Sequence, residues 1–279
     1  MEKTGKIFFR WLGVAGIELE AGNCVLIIDP YFTRVPFYKM WIGKVIPESK
    51  LISQHIKHCD FILVTHSHID HLMDVPDIVN NTECRVYGSN NTCSLLHSCK
   101  IAKGYVYRIK VADILNLGKF KIEVLFAKHR NVLGFSAGHL GYPLKPPFTA
   151  RQYRMDNCFA FHISVNGISF MTDPGINNFS KCFKKADVLF ISASYSMEYY
   201  KLLFDSIKPK ILVPLHWDNF FLPLSVALRP YFKAPSRKFP FFGKINLNEF
   251  SKVIKKIDPD LKILIPEIFK SYDIVNILN

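Results

Sequence analysis

An α/β fold is what this sequence predicts, and three patterns carry the prediction. Short, wholly apolar runs such as Cys24-Val25-Leu26-Ile27-Ile28 and Phe61-Ile62-Leu63-Val64 read as strands buried on both faces. Helical patterns alternate with strand patterns over the second half of the chain. Several strand patterns end on a histidine or an aspartate, where a rigid sheet edge fixes the geometry of whatever those side chains bind.

The elements follow in order. Ile7 to Leu12 forms a strand that ends at Gly13. Gly16 to Glu20 alternates apolar and acidic residues, as a half-buried strand does. Gly22-Asn23 turns the chain into the run 24–28, which ends at Asp29-Pro30. Asp29 either faces a ligand crevice or caps a turn. Residues 31–60 are rich in aromatics and proline and predict a loop and a short helix, with His55 and His58 on the surface, away from any site. Past the run 61–64 a helix is predicted from about Leu72 to Asn81. Arg85 to Gly88 is a strand, and Ser89 caps a helix from Asn90 to Cys99.

Tyr105–Lys110, Asp113–Leu117 and Phe120–Ala127 are further strands, the last delivering Lys128-His129-Arg130. Residues 131–154 hold many glycines and prolines without a period, which predicts a lid or binding loop carrying His139, Tyr142, Arg151 and Arg154. Phe159–Val165 and Ile168–Met171 make a hairpin across Asn166-Gly167 that delivers Asp173, and His162 in its first strand is expected to be packed or on the surface. Helices over Phe179–Lys185 and Ser196–Ile207 flank a strand over Asp187–Ile191. Lys210–Leu215 is a strand that delivers His216. Leu247–Ile257 is an amphipathic helix and Leu261–Ile265 a last strand.

The chemistry concentrates in Thr65-His66-Ser67-His68-Ile69-Asp70-His71, three histidines and a carboxylate in six residues after a buried strand. His66 and His68 are two apart, so in extended backbone both leave the same face and can chelate one ion. Asp70 and His71 fall where the chain turns into the helix and can address a second position beside the first. Imidazole with carboxylate suits zinc, manganese or iron better than magnesium or calcium. His129, Asp173 and His216, each at a strand end, supply the remaining ligands that a two-metal site needs.

Composition sets the outer limits. With 49% apolar residues in 279, a sizeable core is available. No run of about twenty uncharged apolar residues exists, so no transmembrane segment is predicted. The charged N-terminus does not read as an export signal, and seven cysteines without a Cys-x-x-Cys pair fit reduced thiols; together these predict a cytoplasmic protein. A net charge of +13 favours anionic partners.

The sequence resembles the metallo-β-lactamase-fold hydrolases. Trp11-Leu12-Gly13, Ala15-Gly16 and Leu26-Ile27-Ile28-Asp29-Pro30 resemble the first strands of that superfamily, and His66-x-His68-x-Asp70-His71 matches its hallmark motif. The resemblance runs from about residue 7 to 220 and looks nearest to the branch of L-ascorbate-6-phosphate lactonases and N-acyl-phosphatidylethanolamine phospholipases. Val14, where relatives often carry His or Thr, and the Thr172-Asp173-Pro174 setting depart from the pattern.

The resemblance implies a four-layer αββα sandwich over residues 1–279 as one domain, and two divalent ions, zinc first. It implies that His66, His68 and His129 bind one ion and Asp70, His71 and His216 the other. Asp173 would bridge them and a shared hydroxide would act as nucleophile, which makes Asp70, His71 and Asp173 the catalytic set. The expected reaction is hydrolysis of a small anionic, phosphate-bearing ester, lactone or phosphodiester. Arg130, His139, Tyr142, Arg151, Arg154 and Trp217 are candidates to contact that substrate, the arginines through forked hydrogen bonds to phosphate. Rival readings are a nucleic-acid phosphodiesterase, disfavoured because the basic residues are dispersed, and a metal-binding sensor without catalysis. A lipid hydrolase with an apolar lip over Phe220–Phe242 also stays open, as does a homo-oligomer.

Overall fold

The computed structural model describes residues 5–129, 137–175, 184–233 and 243–279. The chain opens with β1 (Ile7–Gly13), β2 (Gly16–Ala21) and β3 (Cys24–Ile28), an antiparallel meander. After α1 (Ser49–His55) come β4 (Phe61–Leu63), α2 (Ile69–Leu72), α3 (Val75–Thr82), β5 (Arg85–Gly88), α4 (Asn90–Ser98) and β6 (Val106–Arg108). Strands β4, β5 and β6 add in parallel beside β3, with helices crossing over on one face. β7 (Ile114–Leu117) and β8 (Phe120–Phe126) begin a second sheet.

That sheet continues through β9 (Phe159–Val165) and β10 (Ile168–Met171). Asn166 and Gly167 both have positive φ (48° and 79°), the conformation that a two-residue hairpin matched to strand twist requires. β11 (Val188–Ser192), α5 (Met197–Ile207), β12 (Ile211–Leu215), α6 (Leu247–Ile257) and β13 (Lys262–Ile263) extend it in parallel. β14 (Ser271–Asp273) then returns to pair with β1, and α7 (Ile274–Leu278) follows.

The result is two seven-stranded mixed sheets with helices on their outer faces, an αββα sandwich. The alternation in β1 explains its place: Ile7, Phe9 and Trp11 face inward and pack with Phe161, Phe170, Phe190 and Val213 of the facing sheet. A second cluster joins the other face of the first sheet to α1, α2, α3 and α4, and a third joins the second sheet to α5 and α6. Wholly apolar strands such as Ile211–Leu215 serve two of these layers at once, which is why they show no alternation.

The structure departs from the sequence expectations in places. The helix expected over 72–81 is two helices broken at Met73 and Asp74. Pro76 sits in the first turn of α3, where a missing amide proton costs nothing, so the helix restarts there. His55 is not a surface residue: it is half-buried, stacked 3.8 Å from the ring of Phe269 and 5.8 Å from Phe32. His58 is exposed and pairs with Asp60 at 3.1 Å. The last strand shrinks to two residues, and β14 is too short to leave a period in the sequence. His162 is buried on β9, with Nε2 3.0 Å from the Lys185 carbonyl. The helix expected over 179–185 lies largely outside the described residues, as do Arg130 and Cys182; the other six cysteines carry free thiols. No described helix is long and apolar enough to cross a membrane.

Candidate metal centre

The strand ends converge. Two trios of ligand atoms form: His66 with His68 and His129, and Asp70 with His71 and His216; within each trio the atoms lie within 4.8 Å of one another. Each trio draws on both sheets. His66 and His68 leave the end of β4, and Asp70 and His71 occupy the first turn of α2. His129 follows β8 and His216 follows β12. The two trios adjoin, since the His66 ring centroid is 4.7 Å from that of His129 and 3.9 Å from that of His71.

Orientation comes from a layer of partners. Asp29, just past β3 in the left-handed region (φ 47°), accepts a hydrogen bond from the Thr65 amide at 2.8 Å, and its Oδ2 lies 2.8 Å from His71 Nδ1. That contact fixes the His71 ring so that Nε2 faces Asp70 at 3.5 Å, the arrangement by which a carboxylate sets the tautomer of a ligating histidine. Thr65 Oγ1 lies 2.9 Å from His66 Nδ1, leaving His66 Nε2 to face His68 Nδ1 at 3.0 Å. His216 Nε2 is 3.2 Å from Asp70 Oδ2. Ser67 donates to the Arg154 carbonyl at 2.6 Å, which ties the motif to the 131–154 segment.

His216 itself is left-handed (φ 53°), an uncommon conformation for a non-glycine residue, and the surroundings hold it there. Its amide donates to the Val14 carbonyl at 2.9 Å, and the Val14 amide donates to the Asp218 carboxylate at 3.1 Å. Asp218 is in turn ion-paired with Arg34, both side chains almost wholly out of water. Gly13, with φ 91°, leaves the space the Arg34 guanidinium needs. Neither Arg34 nor Asp218 stood out in the sequence; Thr65 did so only as the first residue of the motif, and Asp29 only as a strand-end carboxylate. A buried arginine in a Pro- and aromatic-rich segment, paired 184 residues away, leaves no local signal.

The electrostatics suit cations. Burial pulls the His66 imidazole well below its ordinary value, and His71, His68 and His129 push the same way, so it stays in the neutral ligand form. Burial also pulls on His71, but the Asp29 and Asp70 carboxylates outweigh it and hold it at about 10. Burial works to raise Asp70, yet His71 and His216 keep it well below the usual carboxylate range. Asp173 stands at the end of β10, in neither trio. Its carboxylate accepts from the Ser192 and Gly175 amides at 2.8 Å and from the Tyr195 hydroxyl at 3.0 Å. Burial outweighs those bonds and raises it. Gly175 (φ 67°) allows the close approach of this turn to the Lys128 backbone, which brings the turn after Asp173 against the residue before His129.

The substrate candidates are spread more widely. His139 and Tyr142 are exposed, and His139 joins neither trio. The Arg151 guanidinium lies 5.1 Å from the Trp41 ring, and Arg154 donates to the Ala137 carbonyl at 2.6 Å. Trp217 is half-buried, 5.4 Å from the Trp11 ring.

The beta-lactamase superfamily domain model matches residues 25–217, which includes the motif and both later histidines. The chain is 25% identical over 225 residues to a UPF0173 metal-dependent hydrolase of Staphylococcus aureus (strain MRSA252), covering 75% of this chain and 84% of that protein. Among solved structures it is similar to Igni18, a metallo hydrolase from Ignicoccus hospitalis (TM-score 0.60, 16% identity, 96% of this chain and 97% of that one). It is also similar to the metallo-beta-lactamase fold protein YhfI from Bacillus subtilis (TM-score 0.59, 13% identity, 96% and 99%). With the family match spanning well over half its length and the αββα sandwich in place, the chain belongs to the beta-lactamase superfamily and is a metal-dependent hydrolase of the metallo-β-lactamase fold.

Proposed function

We propose that the chain is a single-domain, cytoplasmic hydrolase that uses two divalent ions to cleave a small anionic, phosphate-bearing ester, lactone or phosphodiester. The observation that carries this reading is the pair of adjoining trios, each with two buried members from the first sheet and a half-exposed histidine from the second. The donors fit the ions: the five imidazoles and one carboxylate of the trios, that carboxylate held ionised, suit zinc first, then manganese or iron. His66, His68 and His129 would hold one ion and Asp70, His71 and His216 the other. Asp173, at the end of β10 and in neither trio, would be shared between them. Two bound ions would supply a nucleophile at neutral pH by lowering the pKa of water from about 15.7 toward 7 and would polarise the substrate oxygen.

The protein's own residues do the rest. Asp29 keeps the His71 proton on Nδ1 and its Nε2 turned inward. His129 and His216 are the half-exposed members, so substrate reaches the centre from their side. A net charge of +13 supports an anionic substrate, and Arg130, Arg151 and Arg154, with His139, Tyr142 and Trp217, are the groups we assign to bind it.

The test is metal content per chain of protein purified without chelator, beside a His66→Ala/His216→Ala variant. Close to two equivalents, lost in the variant, supports the dinuclear reading, and a screen of phosphodiesters against lactones then follows. Protein that takes up no metal even on reconstitution sinks it.

A further inference from the structure

Of the fourteen large apolar side chains exposed among the described residues, five lie within ten residues of one another: Phe37, Tyr38, Trp41, Ile42 and Ile46, between 46% and 70% exposed. They sit on the segment between β3 and α1. This is not a slack loop that happens to be uncovered. At its start the Phe32 and Thr33 amides donate to the buried Asp74 carboxylate. At its end Val45 is buried and its amide donates to the Phe148 carbonyl at 2.8 Å. The backbone is anchored at both ends while the apolar side chains point to solvent, an arrangement that in a water-soluble surface has to be covered by something.

The chemistry around it says what. No acidic residue occurs between Asp29 and Glu48. Exposed Lys44 lies on the segment. Lys39 Nζ stands 5.9 Å from the Tyr38 ring centroid, and Arg151 stands 5.1 Å from that of Trp41. A Trp and a Tyr rimmed by cations, with two isoleucines beyond them, is the make-up of a surface that sits at the headgroup level of a membrane. The aromatics occupy the interface, the isoleucines reach the acyl boundary, and the cations meet lipid phosphate. A second copy of the chain would bring the same cations face to face, which disfavours a symmetric dimer through this surface.

We propose that residues 36–46 dock the protein on an anionic lipid bilayer. The site lies on the same side. Phe37 packs edge-on against Phe221 at 5.0 Å, Phe221 against Phe220 at 4.2 Å, and Phe220 against His216 at 5.6 Å. A run of rings therefore leads from the docking surface to a candidate ligand. In the stretch 220–242 that the sequence suggested as an apolar lip, Phe220 and Phe221 are half-buried, Val226 and Phe232 are exposed, and 234–242 lie outside the described residues.

The experiment is sedimentation of the full chain with vesicles of phosphatidylcholine alone and with phosphatidylglycerol added, at low salt and at about 0.15 M. The expected result is binding to the anionic vesicles, weaker at the higher salt, with a blue shift of Trp41 emission. Ile42→Ser/Ile46→Ser should weaken partitioning about tenfold or more while the circular dichroism spectrum stays unchanged. Absence of binding at low salt overturns the proposal. So does binding that the isoleucine variant leaves intact, or a dimer in solution that the same variant dissolves. The docking requires no particular substrate and no metal: His66→Ala should bind vesicles as wild type does, so failure of the metal reading and failure of this one are separately visible.

Discussion

Replacing Asp218 with alanine tests whether the buried ion pair with Arg34 holds the His216 side of the site in place. Both side chains are almost wholly excluded from water. Asp218 also accepts the Val14 amide. Its removal strands a guanidinium and an amide in the interior. Breaking a buried pair by removing one partner costs about 3–5 kcal/mol, and the orphaned amide about 1–3 kcal/mol, partly the same loss counted twice. A net cost of about 4 kcal/mol is a large share of the 5–15 kcal/mol that typically stabilises a domain. Arg34→Met should cost a comparable amount, because it leaves the carboxylate with the Val14 amide alone. The double variant Arg34→Met/Asp218→Leu leaves the Val14 amide unpaired and takes from the Asn219 carbonyl its 3.4 Å bond to Arg34, and should cost about 1–3 kcal/mol, less than either single change. Urea unfolding of the three variants, followed by circular dichroism with metal removed, reads this directly. Costs that simply add in the double variant would refute the reasoning, since distant or independent groups add and coupled ones do not.

Further outcomes follow from the same contacts. Asp29→Asn should weaken metal binding about 10–100-fold, read by competition with a chromogenic chelator, because His71 loses the carboxylate that orients its ring. Asp74 is raised from 3.8 to about 6, chiefly by burial against hydrogen bonds from Thr33 and Phe32. A raised carboxylate favours the protonated folded state, so its contribution is fully present below pH 3.8 and is lost as pH rises to about 6, a loss of about 3 kcal/mol. The stability difference between wild type and Asp74→Asn should therefore change by that amount across this window and be flat above it. Gly175→Ala should lower both metal content and thermal stability, because a Cβ there would meet the Lys128 carbonyl at 2.1 Å and push the His129 segment away.

Much of the frame was legible because it rests on period and punctuation. The apolar runs at 24–28 and 211–215, the Asn166-Gly167 hairpin and the Ser89 cap all form as local chemistry dictates, while Ser196, read as helical, caps α5 instead. The two ligand trios were legible because the motif packs four ligand groups into six residues and the later ones end strands. What was not legible depends on contacts far apart in the chain. Arg34 and Asp218 pair across 184 positions, and Asp74 reaches back 42 residues to the Phe32 amide. His55 looked like a surface residue because the ring it stacks on, Phe269, lies more than two hundred positions later. The break between α2 and α3 was readable from Pro76 but masked by an apolar period that runs through it. Asp173 was placed at its strand end correctly, while the Tyr195 hydroxyl and the Ser192 amide that hold it come from the neighbouring strand and the turn beyond it.

Each ligand trio takes members from both sheets, and the chain distances spanned are long: Asp70 and His216 are 146 positions apart. Any ion seated there works as a rivet through the sandwich, closing a loop that in the unfolded chain would wander freely. A crosslink of that length removes more unfolded-state freedom than a short one, though only slowly with length. With ions in both trios, the two halves of the sandwich would be clamped at the rim where the strand ends converge. At the opposite rim the Asn166 side chain donates to the Gly5 carbonyl at 3.3 Å, beside the packing of the two inner faces. Loss of metal would be felt first at the site rim, where the Arg34–Asp218 pair and the His216 amide bond to Val14 would be left to hold the sheets together.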